Sequence, residues 1–213
     1  MSIDVLLQQI VNGLVVGSVY ALVALGYTMV YGILQLINFA HGEIVMIGGL
    51  TALFASKGLL SLGVPSLLAL LIGILAAMVV CAVVGVLIER IAYRPLRNAP
   101  RLAPLITAIG VSILLQQLAI LVFGRNYFSF PELISKAPIS LGPITVTLNE
   151  IVILVASVAL MAALLWLVHN TKIGTAMRAT AENQKVAGLM GIDINKIIAI
   201  TFAMAPAWAR LLA

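Results

Sequence analysis

Two stretches of the sequence carry side chains whose types and spacing could do chemistry. The first is Asn38-Phe39-Ala40-His41-Gly42-Glu43, which puts an amide, an imidazole and a carboxyl inside an otherwise apolar run at 32–54. A charge placed in lipid costs about 2.5 kcal/mol or more unless it is paired, so such residues point to function by default. His41 and Glu43 could relay a proton, share a metal or touch a substrate. Two residues apart, they do not share a helical face. A metal would need further ligands, and the other histidine, His169, ends a different apolar run. The same residues also fit a cap, with Asn38 as N-cap and Glu43 on the positive end of the helix. The pattern favours the cap over direct chemistry.

The second stretch is 171–197, TKIGTAMRATAENQKVAGLMGIDINKI, a polar interval between two apolar runs. From Gly174 to Leu189 its composition predicts helix, with Gly188 and Gly191 as C-terminal stops. Ala176, Ala179, Thr180, Ala181 and Ala187 are small enough for another surface to approach closely. Arg178 and Glu182 stand four apart and could pair on one face. An amphipathic helix lying on headgroups would have a larger apolar face. Catalytic and nucleotide-binding patterns are missing: the sequence has no G-x-S-x-G, H-E-x-x-H or G-x-x-x-x-G-K-[ST]. If ATP is used, another chain binds it.

The elements that must position these stretches follow from composition. Of the 213 residues, 63% are hydrophobic and 9% charged, against about a quarter charged in a soluble domain. Windows 5–31, 65–88, 102–123 and 151–168 contain no Asp, Glu, Lys or Arg. Each is long enough, or nearly so, for the roughly 20 apolar residues that span a bilayer as helix, and none alternates as a barrel strand would. Residues 36–54 are predicted to cross as well, and 197–213 begin a sixth run. The fold expected is all-α, a polytopic transmembrane bundle of about six spans forming one domain over 1–213. The first window has no basic start and is too long for a signal peptide. The single Cys81 excludes a disulfide framework.

Eight of the 12 basic residues lie in two short links, 89–101 and 169–196. This bias assigns both links to the cytoplasm and 124–150 to the outside. It also explains the net charge of +5 better than nucleic-acid binding does. The outer link contains Pro131, Pro138, Gly142, Pro143 and a β-like ITVTL. Small-residue ridges at Gly13/Gly17/Ala21 and Gly73/Ala77/Cys81/Gly85 suit close helix contacts. Pro206 and Arg210 sit badly in a sixth span, so the C-terminal end is expected to be incomplete.

The stretch RATAENQKVAGLMGIDINKIIAITF closely resembles the cytoplasmic coupling loop of permease subunits in ABC importers for branched-chain amino acids. NGLVVGSVYALVALGYTMVYGILQLINFAHGEIVMIGG is similar to the same family, and the resemblance spans 5–204. It implies a prokaryotic inner or plasma membrane protein without cofactor or metal. Its implied partners are ATP-binding subunits, a second permease, an external substrate-binding protein, membrane lipid and an amino acid substrate. It implies that 169–196 docks on the ATPase through Arg178, Ala179, Ala181, Glu182, Ala187, Gly188, Gly191 and Ile192. Asn38, His41 and Glu43 belong to the family's polar motif. Rival readings are a permease for urea or short amides, and a passive channel lined by Gln8, Gln9, Asn12, Thr28 and Asn38. A membrane enzyme would need more convergent ionisable groups than His41 and Glu43.

Overall fold

The uncharged windows become membrane-length helices because lipid offers the backbone no alternative hydrogen-bonding partner. In the computed structural model, which describes residues 3–97, 99–100, 102–129, 138–141 and 144–209, five helices are long and apolar enough to span. They are α1 (Ile3–Leu34), α2 (His41–Ser61), α3 (Ser66–Ile88), α4 (Leu102–Phe123) and α5 (Leu148–Asn170). Two short helices, α6 (Lys172–Glu182) and α7 (Gln184–Leu189), lead to the shorter apolar α8 (Ile194–Ala209). The ITVTL stretch supplies β2 (Ile144–Thr147), which pairs antiparallel with β1 (Pro138–Leu141). α5 starts where it does because Thr147 and Glu150 form a capping box.

Where a crossing was expected over 36–54, the helix formed is His41–Ser61, which is long and apolar enough to span. α2 runs antiparallel along α3, with Ser56 Oγ donating to Ala69 O (3.2 Å) near one end and Cys81 Sγ to Ile44 O (3.4 Å) near the other. The predicted ridge Gly73, Ala77, Cys81 and Gly85 is buried, with Gly73 and Cys81 against α2 and Gly85 against α8. Leu71, Leu75, Val79, Val83 and Leu87 form an exposed stripe at four-residue spacing on the same helix. Water would penalise that stripe; hydrocarbon does not. Link 89–101 differs from expectation in being partly helical. α3 continues as a π turn (Glu89–Tyr93) and a 3-10 turn (Arg94–Leu96).

Pro206 lies inside α8. Proline has no N–H for the carbonyl four residues back, here Phe202 O, and Gly85 on α3 packs its backbone against that same carbonyl. Arg210 lies outside the described residues. The ridge proposed at Gly13 and Gly17 makes no contact among the described residues: both are exposed, with open space beside them. α1 buries Val15, Ser18, Leu22, Gly26, Val30 and Ile33 instead. Both sets have helical spacing, and only neighbours decide which one turns inward.

That difference is measurable. Gly85→Ala is expected to cost about 1–3 kcal/mol, because its Cβ would overlap the Phe202 backbone and the helices must separate. Gly13→Ala meets nothing and should leave the melting temperature in detergent unchanged or slightly raised. Equal effects would mean that α3 and α8 do not touch at Gly85.

The two ends of α1 fix the sides of the molecule. Near its start, the Gln8 side chain pairs with the Thr145 backbone in both directions (2.9 and 2.8 Å). At its far end, Gln184 Nε2 donates to Ile33 O (3.1 Å). Its 32 residues make α1 about 48 Å long, so the hairpin and the α6–α7 segment lie at opposite ends of the bundle.

Candidate functional site

Asn38, His41 and Glu43 are placed by the hook between α1 and α2, where Gln35 takes a left-handed conformation (φ 54°). Asn38 is not the N-cap. That position is Ala40, which has no side-chain cap. The Asn38 Oδ1 instead accepts from the Ala40 N–H (3.1 Å), an Asx turn, and from Tyr93 OH (3.1 Å) at the end of α3. Asn38 is therefore a buried bracket that holds the hook against α3.

His41 and Glu43 face different neighbours, as their spacing requires. His41 is fully buried, its ring tilted against Tyr27 at 4.5 Å between centroids. Gly26 makes room for it, since a Cβ there would lie 2.6 Å from the imidazole and 2.9 Å from Ala205 O. Neither ring nitrogen has a hydrogen-bonding partner among the described residues. Glu43 sits in the first turn of α2, but its carboxylate crosses to α4, accepting from Ser112 Oγ (3.2 Å) and Gln116 Nε2 (2.6 Å). The motif ties α1, α2, α3, α4 and α8 together. Among the described residues, no group of three or more His, Cys, Asp or Glu side chains could hold a metal.

The predicted helix over 174–189 forms as two pieces broken at Asn183. Thr171 caps α6 by accepting from Gly174 N–H (3.1 Å), and Asn183 caps α7 by accepting from Val186 N–H (3.1 Å). Gly174 is obligatory for space, because its Cα packs against the Val168 and Leu167 carbonyls. Arg178 does not pair with Glu182. Its Nη1 donates to Val168 O (2.5 Å) and so pins α6 to the end of α5. Glu182, Gly188 and Gly191 are exposed and Ala179 is half-buried. Ala187 is buried, while Ala181 and Ile192 pack against the core. These three small or apolar residues serve the inside of the bundle.

The surface that remains was not singled out by its sequence. Leu189 and Met190 are 87% and 79% exposed, with Val186 beside them, at the tip where α7 ends and Gly191 takes φ 84°. Their signal was an apolar pair between two glycines in a polar interval. Glu89 was also missed. It is wholly buried, paired with Arg97 Nη2, and has Arg94 Nε 4.0 Å away. Arg97 Nη1 donates to Asn195 Oδ1 (2.5 Å) at the start of α8. Its signal was a carboxylate at the very end of an uncharged window, followed by arginines at short spacing.

The comparisons with known proteins bear on this arrangement. The family profile described as "Branched-chain amino acid transport system / permease component" matches residues 9–213. The high-affinity branched-chain amino acid transport system permease protein BraD of Pseudomonas aeruginosa is 43% identical over 212 residues, covering 97% of this chain and 69% of the relative. The corresponding LivH of Escherichia coli K12 is 40% identical over 211 residues, covering 96% and 68%. A probable branched-chain amino acid transport permease protein LivH of Methanocaldococcus jannaschii is 29% identical over 203 residues, covering 89% and 59%. No solved structure matches the chain. With a profile spanning nearly its whole length and relatives of this identity, the chain belongs to the branched-chain amino acid transport system permease component family.

Proposed function

We propose that this chain is a membrane-spanning permease subunit of an ATP-driven importer for branched-chain amino acids, in the inner membrane of a prokaryote. In this reading the side bearing α6 and α7 is cytoplasmic and the hairpin side is external, as the clustering of Lys and Arg suggests. The α6–α7 segment docks on a separate ATP-binding subunit. A second permease completes the pathway, and an external binding protein delivers the amino acid. The relatives named for branched-chain amino acids favour that substrate over urea or short amides.

The observation that carries the reading is the mechanical linkage of α6–α7. The segment presents Leu189 and Met190 outward while three separate ties hold it to the bundle. Gln184 bonds the end of α1, Arg178 bonds the end of α5, and Met177 is buried in the core. A displacement applied at the tip is thus delivered to two spans at once. When ATP draws the two ATPases together, the segment moves with its dock, and α1 and α5 follow towards an outward-open arrangement. A solvated linker would not need this bracing. A passive channel is less well supported, since of Gln8, Gln9, Asn12, Thr28 and Asn38 all but Gln9 have hydrogen-bonding partners within the chain.

The test is transport by the affinity-purified full-length protein and whatever travels with it, reconstituted into vesicles. An ATP-binding subunit and a second permease are expected to co-purify, and leucine uptake should require both ATP and the binding protein. Leucine entry that persists without ATP would replace the importer reading with the channel.

A further inference from the structure

We propose that a cavity between α3 and α8 is a seat for the headgroup and first acyl carbons of an anionic phospholipid. The cavity, about 350 Å³ in volume, opens where α3 passes into its π turn and α8 begins. Arg90, Arg94 and Lys196 stand at its rim, and Val86, Ile200 and Ala203 form its floor. Val86 lies one turn below Arg90, and Ala203 about two turns into α8 from Lys196. Polarity therefore falls with depth in the order a lipid presents it: charge at the membrane surface, hydrocarbon beneath.

The charge balance supports an anion. Arg90 and Lys196 are exposed and form no ion pair among the described residues. Arg94 is only loosely engaged, at 4.0 Å from Glu89, whose carboxylate is held closely by Arg97. Asp193 is the acidic residue of the lining. Its Oδ1 accepts from Lys196 N–H (3.1 Å) at the start of α8, so it caps the helix and sets one negative charge against the basic rim. Three cations against one carboxylate leave an excess of two. A phosphate diester with an acyl tail satisfies both the rim and the floor, whereas a free anion would leave the apolar floor uncovered. Basic pockets of this kind at a membrane surface attract anionic headgroups. The site rests on the chain's being a membrane protein and is independent of its transported substrate.

Delipidated full-length protein in maltoside micelles is titrated with phosphatidylglycerol, phosphatidylcholine or inorganic phosphate, and bound species are counted by native mass spectrometry. Phosphatidylglycerol should remain bound and raise the melting temperature, while phosphatidylcholine and phosphate should do neither. Arg90→Gln with Lys196→Gln removes two surface cations and should weaken phosphatidylglycerol binding on the order of 30-fold. Ala199→Trp, which fills the cavity wall without changing charge, should do the same, and Lys196→Arg should bind as the parent does. These two single variants decide the matter if the double variant fails to fold. Parental phosphatidylglycerol binding in Ala199→Trp would overturn the proposal. Inorganic phosphate that binds as well as the lipid would replace the lipid seat with a free-anion site.

Discussion

Replacing Leu189 and Met190 together by aspartate is expected to abolish ATP-driven uptake while leaving membrane insertion and melting temperature unchanged. Both side chains are largely exposed at the tip of the α6–α7 segment and contribute little to the bundle. Burying an apolar side chain of this size against a partner stabilises by about 1.5–3 kcal/mol. A carboxylate forced into the same contact adds its own desolvation penalty. Two such changes therefore weaken docking by at least 100-fold. Glu182→Lys, also exposed and without an ion-pairing partner among the described residues, should slow association through its changed charge with a smaller effect. Ala181 is the wrong position for this test. It packs against the core, so a bulky residue there would disturb the spans and the dock together. A double aspartate variant that keeps its ATPase partner and normal uptake would remove the tip from the coupling surface. If the tip lay in the headgroups instead, the variant would lose melting temperature but retain its partner.

The reach and the limits of the sequence are visible in particular residues. Charge-free windows report that a segment avoids water, so four membrane-length helices were legible from composition, and the fifth from an apolar run that holds Glu43. They do not report which face meets a neighbour. Gly13 and Gly85 have the same residue type and similar ridges, yet one faces open space and the other a carbonyl. In the α6–α7 segment, small size had two physical uses, close approach to a partner and tight packing inside, and Ala181 and Ala187 serve the second. Arg178 had a carboxylate at the right spacing, but the unsatisfied carbonyls at the end of α5 compete for its guanidinium, and Val168 O won. The Asn38-to-Glu43 motif was read as a helix cap, yet Asn38 is not the N-cap, and the partners of Asn38 and Glu43 on α3 and α4 are long-range and invisible to local spacing.

Arg97→Ala should produce the largest loss of stability of any single substitution near the α3–α8 junction. Glu89 is 0% exposed, and Arg97 is its close partner, with Arg94 a distant second. Removing one member of a buried pair leaves an uncompensated charge and costs about 3–5 kcal/mol. For a chain of this size that corresponds to a fall of roughly 6–20 °C in melting temperature. Glu89→Gln should cost less, because Arg97 is partly exposed (19%) and water can solvate it. Glu89→Leu combined with Arg97→Met should recover most of the loss, since apolar replacements of a buried pair are often neutral. That order separates charge from shape. It also separates stability from coupling, because Arg97 carries a second bond to Asn195, at the point where the α6–α7 segment joins α8. Asn195→Ala leaves the Glu89 pair intact and should cost only about 1 kcal/mol. It cuts the tie by which motion of the segment reaches α3, so ATP hydrolysis should continue with less uptake per ATP. Arg97→Ala melting within about 2 °C of the parent, under 1 kcal/mol by the same scaling, would mean that Glu89 is not held as a buried charge. Unchanged uptake per ATP in Asn195→Ala would leave α1 and α5 as the routes into the bundle.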